Sequence, residues 1–410
     1  MRMIRTAVFW VHLAIGCVAG LVILVMSVTG VLLAFERQIN AWADAPAVLQ
    51  TESQSATESL LDTILANLKN AGQGVPSELI LHRSPKAPME ARFGRDRTLY
   101  LNPWSGVIVG EPAKGTRTFF NFVERVHRSL GMGMQSALGR GATGAANLAI
   151  LFMLLSGLYL WLPRAFNFAG LKTRILLRRG LVGRTREWNW HHVAGIWAVL
   201  PLLFIVLTGV IMSYPWASNL LFTMTGSQPP SGNWRGERPA GHSGPNGGDH
   251  PAAGSEASAS QFIPLAGLAQ IAKQQEPQWR SITIQIPPAE SEMLAVSVDT
   301  SIGGQPEKTS QLILNRQTGR VQSVKRFSDN STGRKLRAWA RFTHTGEEFG
   351  VVGEAIAAIA SIGSIVLVWT GVSMAIRRAV GAQTIKSALA TRVQADPSAP
   401  GSLDEEAIRS

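Results

Sequence analysis

The sequence predicts a membrane α-helical bundle of four transmembrane helices carrying two small α+β domains outside the bilayer, built by an internal parallel duplication. Three observations predict it. Four long stretches lack formal charge: Thr6–Phe35, Gly141–Pro163, Trp188–Met224 and Ala355–Ile376. The segments between the first and second, and between the third and fourth, alternate apolar and polar residues as strands do. The two halves also repeat one another in register.

Each charge-free stretch is long enough to cross a hydrocarbon core, which takes roughly 20 helical residues. Charged residues make up only 16% of the 410-residue chain. The first stretch is too long for a signal-peptide core and has no small-residue cleavage pattern before Glu36, so it reads as a retained helix. Arg2 and Arg5 precede it, the connection after the second stretch carries Arg164, Lys172, Arg174, Arg178, Arg179, Arg184 and Arg186, and Arg377 and Arg378 close the fourth. Short basic loops stay in the cytoplasm, which puts both termini and the 164–187 loop inside and the two long segments outside, in the periplasm of a bacterial inner membrane. The net charge of +12 then reads as topology, not as a nucleic-acid patch. Trp10, Trp161, Trp188, Trp190, Trp216 and Trp339 suit an interfacial belt. The single cysteine, Cys17, excludes an intrachain disulfide and a multi-cysteine metal or iron–sulfur site.

The expected division is a first helix within 1–36, an outer domain over 37–126, an interfacial segment and second helix over 127–163, and a basic loop over 164–187. A third helix over 188–216 follows, then an outer domain over 217–340, an interfacial segment and fourth helix over 341–378, and a tail over 379–410. Within the outer segments, Ser59–Asn70 and Pro264–Gln274 have helical spacing. Glu78–His82, Ala91–Phe93, Thr98–Asn102, Ser281–Ile286, Leu294–Val298 and Gln311–Leu314 read as strands. The links Asn102–Gly106 and Asn315–Gly319 carry turn chemistry.

The duplication is read from matched residues. His12, Gly16, Thr29-Gly30-Val31 and Phe35 correspond to His191, Gly195, Thr208-Gly209-Val210 and Tyr214 at an offset of 179. Leu99–Asn102 corresponds to Leu312–Asn315 at 213, and Ser156-Gly157-Leu158 to Thr370-Gly371-Val372 at 214. The Gly/Pro/Ser/Ala-rich stretch Gly226–Gln261 supplies the extra residues and reads as a flexible insertion.

Histidines at the mouths of membrane helices are costly unless they hold something. His12 and His191 enter the first and third spans from the cytoplasm. His127 and His344 stand before the second and fourth on the periplasmic side. The motif His-x-x-x-Gly recurs at His12/Gly16, His127/Gly131 and His191/Gly195, which favours His191 over its neighbour His192. Topology yields two pairs, one at each face. Imidazole is an axial haem ligand, and helical bundles build cofactor sites on facing helices. Two ligands per iron leave no open position, which suits electron transfer. Arg125, Arg128 and Arg341 are placed to face haem propionates or lipid headgroups. His82 falls on an outer strand, and His242 and His250 fall in the insertion. On straight continuous helices His127 would stand about 45 Å from Gly157, and His344 about 40 Å from Gly371. Gly131, Gly133, Gly139, Gly141, Gly346, Gly350 and Gly353 offer places to bend, and Pro201 suggests a kink in the third span.

Trp10-Val-His12, Val126–Gly131, Ser156–Arg164, Pro201–Val210 with Pro215-Trp216, and His344-Thr-Gly-Glu347 with Phe349-Gly350 resemble the PepSY-associated transmembrane family over about residues 5–380. The outer domains resemble PepSY modules. Some members are inner-membrane siderophore reductases carrying b-type haem, so the resemblance implies haem, and the two pairs that topology yields, His12 with His191 and His127 with His344, are the expected axial ligands of two haems here. It implies an oxidoreductase that passes electrons from quinol or a separate reductase to a ferric siderophore or other ferric chelate. No Gly-rich dinucleotide motif and no P-loop is found in the sequence. A haem-free sensor or protease regulator, and an iron or siderophore transporter, remain open alternatives.

Overall fold

A computed structural model describes residues 2–49, 61–84, 86–94, 97–162, 168–229, 262–288, 290–301 and 303–395. All but the first four residues of the 226–261 insertion, together with His242, His250, Arg164 and the tail from residue 396, lie outside the described residues.

Among the described residues, four helices have the length and composition to cross a membrane: α1 (Arg2–Ala34), α5 (Ala137–Trp161), α7 (Gly183–Ser213) and the long α11 (Gly350–Ala395). They carry their apolar residues all round, and side chains such as Val18, Leu21 and Trp369 are largely exposed, as lipid-facing residues are. Three boundaries differ from the sequence expectation. The third helix begins inside the predicted basic loop, at Gly183, and ends at Ser213, because Pro215 forces the preceding Tyr214 to be extended and then opens α8 (Pro215–Met224). The fourth continues well past residue 378 into the predicted tail. Pro201 lies inside α7 without ending it.

The chain divides into two compact units. The first comprises Met1–Val28, Ala145–Leu203 and Ala360–Ser410, and it is a bundle closed by small residues. A Cβ on Gly16 would stand 3.1 Å from the Met153 methyl, one on Gly20 would stand 3.6 Å from Val368, and one on Gly363 would stand 2.8 Å from the Cβ of Ala198. Such close approach is how helices associate where lipid competes for apolar contact. Ser27 donates to Ser364 at 2.9 Å. At one end, Asn189 donates to the Thr173 carbonyl and accepts from the Arg178 N–H, tying α6 (Phe168–Ile175) and the loop after it to α7.

The second unit comprises Thr29–Gly144 and Phe204–Ile359. Its eight strands are β1 (Glu78–His82), β2 (Met89–Phe93), β3 (Arg97–Leu101), β4 (Ile108–Gly110), β5 (Ser281–Gln285), β6 (Met293–Asp299), β7 (Thr309–Asn315) and β8 (Val321–Arg326). Each outer segment supplies the helix and strands expected of it, and the strands of both lie in one sheet. All eight strands form one antiparallel sheet in the order β4-β3-β2-β1-β5-β6-β7-β8. The first strand of each half pairs with the other, Leu79 opposite Ile284, Ile80 opposite Thr283 and Leu81 opposite Ile282. Burial gives the physical reason. A segment of this size buries little apolar area alone, and β1 would otherwise present a bare edge.

Strand alternation sorts the two sheet faces. Leu79, Ala91, Leu99, Ile282, Ile284, Val296 and Leu312 point to one side, where α3 (Leu61–Asn70) and α9 (Leu265–Gln275) cover them with Ile64, Leu68, Leu265 and Leu268 in a single core. The opposite face carries His82, Glu90, Arg92, Thr283, Ser297 and Asp299. Both predicted turns form as expected: Asn102 Oδ1 accepts from the Trp104 and Ser105 amides, and Asn315 Oδ1 from those of Gln317 and Thr318.

Of the other helices of this unit, α2 (Glu36–Leu49) and α4 (Lys114–Ser129) join it through polar contacts, and α10 (Thr332–Thr345) packs on α8 with Gly333 against the Phe222 ring. Asp44 on α2 accepts from Tyr100 Oη at 2.8 Å, from the Ala113 amide at 2.8 Å and from both Arg117 nitrogens. Burial alone would raise the Asp44 pKa, but these donors hold it below the ordinary carboxylate value, and the same setting pushes the Tyr100 hydroxyl up.

Candidate functional site

The four sequence-predicted histidines are each gripped by a hydroxyl from another helix. In the first unit, His12 Nδ1 on α1 lies 2.8 Å from Ser156 Oγ on α5, and His191 Nδ1 on α7 lies 2.9 Å from Thr370 Oγ1 on α11. His12 and His191 are near enough for a charge on one to act on the other. Beside each ring the helix backbone has no side chain. A Cβ on Gly157 would meet the Cε1 of His12 at 3.4 Å, and one on Gly371 that of His191 at 3.5 Å. His192 turns elsewhere: it stacks on Trp188 with ring centres 3.9 Å apart, and its Nδ1 bonds the Trp188 carbonyl at 2.9 Å.

In the second unit, His127 Nδ1 lies 2.8 Å from Thr29 Oγ1. His344 Nδ1 lies 2.8 Å from the Ile205 carbonyl and 3.3 Å from Thr208 Oγ1. The two rings face one another edge to face, with centres 6.4 Å apart and planes at 64°. Burial holds His344 below the usual imidazole pKa, with the Ile205 bond partly opposing it, so this ring is neutral near pH 7.

The hydrogen bonds fix the tautomer at three of the four. Ser156 Oγ already donates its one proton to the Phe152 carbonyl at 2.7 Å, and Thr370 Oγ1 donates to the Val366 carbonyl at 2.7 Å. Each oxygen must therefore accept from the imidazole, so His12 and His191 are protonated at Nδ1. A carbonyl can only accept, so His344 also donates from Nδ1 to Ile205. A neutral ring that donates at Nδ1 keeps its lone pair on Nε2. Such second-shell bonds orient ligating histidines in metal sites. The serine and threonines sit mid-helix because back-bonding to the carbonyl one turn earlier satisfies them in apolar surroundings.

These hydroxyls were present in the sequence as four Ser/Thr-Gly pairs, one in each span, at Thr29, Ser156, Thr208 and Thr370. Their repetition is legible in the sequence, and each pair lies on a different helix from the histidine it holds.

His127 and His344 precede α5 and α11, from which glycine-rich breaks separate them. They end two separate helices, α4 and α10, and the chain then reverses. Leu130, Gly131 and Gly133 take positive φ at the first break, and Gly346 and Gly350 do so at the second. Gly131 is thus part of a helix stop and is not the equivalent of Gly16 and Gly195, which lie inside helices. Gly139 and Gly353 are helical, and their role is close approach: a Cβ on either would come within 2.2 Å of the carbonyl oxygen of Ser129 or Gly346. Gly141 is helical and has nothing near it.

Of the three arginines singled out, Arg128 is exposed and pairs with Glu124 at 2.7 Å, and Arg125 is exposed on the same helix. Arg341 instead lines a cavity of about 1230 Å³ within the second unit, against the polar face of the sheet. His82 faces the same cavity and bonds Glu90 at 3.2 Å. Burial opposes ionisation of Glu90, but His82 and Arg92 together lower its pKa to about 2. Among the described residues, no three His, Cys, Asp or Glu side chains gather into a metal-ion cluster.

The chain is a membrane protein whose apolar helices carry hydroxyls that hydrogen-bond histidine rings on other helices. The PepSY-associated TM region model matches residues 9–378, and the chain belongs to that family. Among curated proteins, none matches the sequence.

Proposed function

We propose that the protein is a duplicated, inner-membrane electron-transfer protein holding two b-type haems, one between His12 and His191 and one between His127 and His344. It acts as an oxidoreductase that delivers electrons to a ferric siderophore or other ferric chelate in the periplasm. The observation that carries this reading is the common grip on all four imidazoles, with Nδ1 engaged by a Ser/Thr-Gly segment or the turn beside it.

The donor set fits haem. His12 with His191, and His127 with His344, whose ring centres stand 6.4 Å apart, would hold the haem iron. Bound haem would supply one-electron transfer between the membrane faces. Ser156, Thr370 and the Ile205 carbonyl hold His12, His191 and His344 in one tautomer, Thr29 and Thr208 add contacts to His127 and His344, and Gly157 and Gly371 leave space beside His12 and His191. The net reaction is reduction of Fe(III) in the chelate to Fe(II), with electrons from a quinol or a separate reductase at the cytoplasmic side. Both termini are cytoplasmic in this reading, and the eight-stranded sheet is periplasmic. The matched elements, helix-four strands-helix in each half with equivalent hydroxyl partners, support a parallel duplication.

A reduced-minus-oxidised absorption spectrum of protein expressed with ample haem tests the reading. Two b-type components are expected, one lost in His12→Ala and the other in His344→Ala. A featureless spectrum, or loss of both components from either substitution, would overturn it.

A further inference from the structure

The cavity beside α10 has a charge that the electron-transfer reading does not use. Its roof is the polar face of the sheet, where Ser281, Thr283 and Ser297 present hydroxyls. Around it stand five arginines from distant parts of the chain, Arg37, Arg83, Arg92, Arg280 and Arg341, against three carboxylates, Glu90, Asp299 and Glu347. The carboxylates are occupied. Glu90 is bonded by His82 and by Arg92 at 2.8 Å, Asp299 accepts from the Ser301 amide and hydroxyl at 2.7 Å each, and Glu347 faces Arg37 at 4.0 Å.

Among the described residues Arg83 and Arg280 pair with no carboxylate, and Arg341 lies near Glu347 and Glu124 without forming a close ion pair with either. Arg83 donates to the Pro277 and Trp279 carbonyls and lies over the Trp279 ring, none of which carries a counter-charge. Arg341 is open to the water of the cavity yet surrounded by protein, where desolvation lowers its pKa. A guanidinium so placed is a ready partner for an oxyanion, which it binds through paired N–H donors. The volume exceeds what a bare ion or a small metabolite needs and suits a ligand of several hundred daltons. Arg341 also lies one helical turn before His344 on α10, so cavity wall and outer imidazole share a rigid element.

We propose that this cavity is the acceptor site and that it selects a polyanionic, oxygen-ligated ferric chelate, of the polycarboxylate or catecholate kind, over a neutral one, with Arg83, Arg280 and Arg341 as the anion-binding residues. The proposal rests on the electron-transfer reading for its role, but binding can be read without it. Gallium(III) citrate matches ferric citrate in charge and size and is not reduced under these conditions. Calorimetric titration of the full-length protein in nanodiscs with gallium citrate, and with a neutral gallium trihydroxamate, tests the selection directly on the unaltered chain.

Saturable gallium citrate binding is expected, at least tenfold tighter than the neutral chelate and weakening as salt is raised. The double variant Arg83→Gln/Arg280→Gln and the single Arg341→Gln should each weaken it by about tenfold or more, with Arg341→Lys in between. Equal binding of the two chelates, or undiminished binding in folded variants, would overturn the proposal. Gallium citrate bound by protein without a haem spectrum would sink the electron-transfer reading and leave the site standing. Haem present with no gallium citrate bound would do the reverse.

Discussion

Removing the hydroxyl that holds His12 should loosen a bound haem far more than removing the one beside His344. Ser156 Oγ is the acceptor for His12 Nδ1–H, at 2.8 Å. Ser156→Ala leaves that partly buried donor facing a methyl group, at a cost of about 1–3 kcal/mol. At about 1.4 kcal/mol per factor of ten, this is roughly a 5- to 150-fold loss of affinity at that site. His344 is different, because its proton already goes to the Ile205 carbonyl at 2.8 Å, with Thr208 Oγ1 farther off at 3.3 Å. Thr208→Val should therefore cost less than about 1 kcal/mol, under roughly fivefold. The assay is haem retained per chain, and the rate at which each spectral component is lost to excess apomyoglobin. Equal rates in the two variants, or an unchanged rate in Ser156→Ala, would refute the argument that these hydroxyls fix the ligating tautomer.

Two further outcomes follow from the second unit. The folded-state pKa of Glu90 is about 2, against an ordinary value of 4.5. Between those values the unfolded chain binds more protons, so stability rises with pH. The Glu90 contribution is present in full above about pH 4.5 and is lost as the pH falls through about 2, so Glu90→Gln should flatten this acid limb of the thermal midpoint. At the reversal before α5, Gly139→Ala forces a Cβ onto the Ser129 carbonyl and should lower the thermal midpoint and disturb the His127 site. Gly141→Ala has open space and should be neutral or stabilising by up to about 1 kcal/mol. Similar melting of the two alanine variants would contradict the close approach.

What the sequence disclosed follows from how physical periods show up in it. Spans are legible because lipid demands an uninterrupted apolar run. The strands Glu78–His82 and Ser281–Gln285 are legible because one face is core. β4 and β8 are not legible because they are edges: Ile108–Gly110 is only three residues long, and Val321–Arg326 carries Lys325 and Arg326 with no fully buried position. The fusion of the strands into one sheet was not legible, since β1 alternates in the same way whether its edge is paired or bare. The histidines stood out by type and position. Their hydroxyl partners did not, because a serine or threonine inside a span looks the same whether it bonds only its own helix or a ring on another. The cavity was hidden because its arginines, from Arg37 to Arg341, meet only after folding.

The β1–β5 seam also sets an order of events during synthesis. Leu79 and Ile284 are neighbours in the finished sheet, but about two hundred residues of chain separate them. Until Ser281–Gln285 emerges, the edge of β1 is an open template for any passing strand, and contacts of such long range close late. A truncated or stalled chain ending before β5 would therefore be an aggregation-prone nascent product, and a holding chaperone would serve it best in that interval.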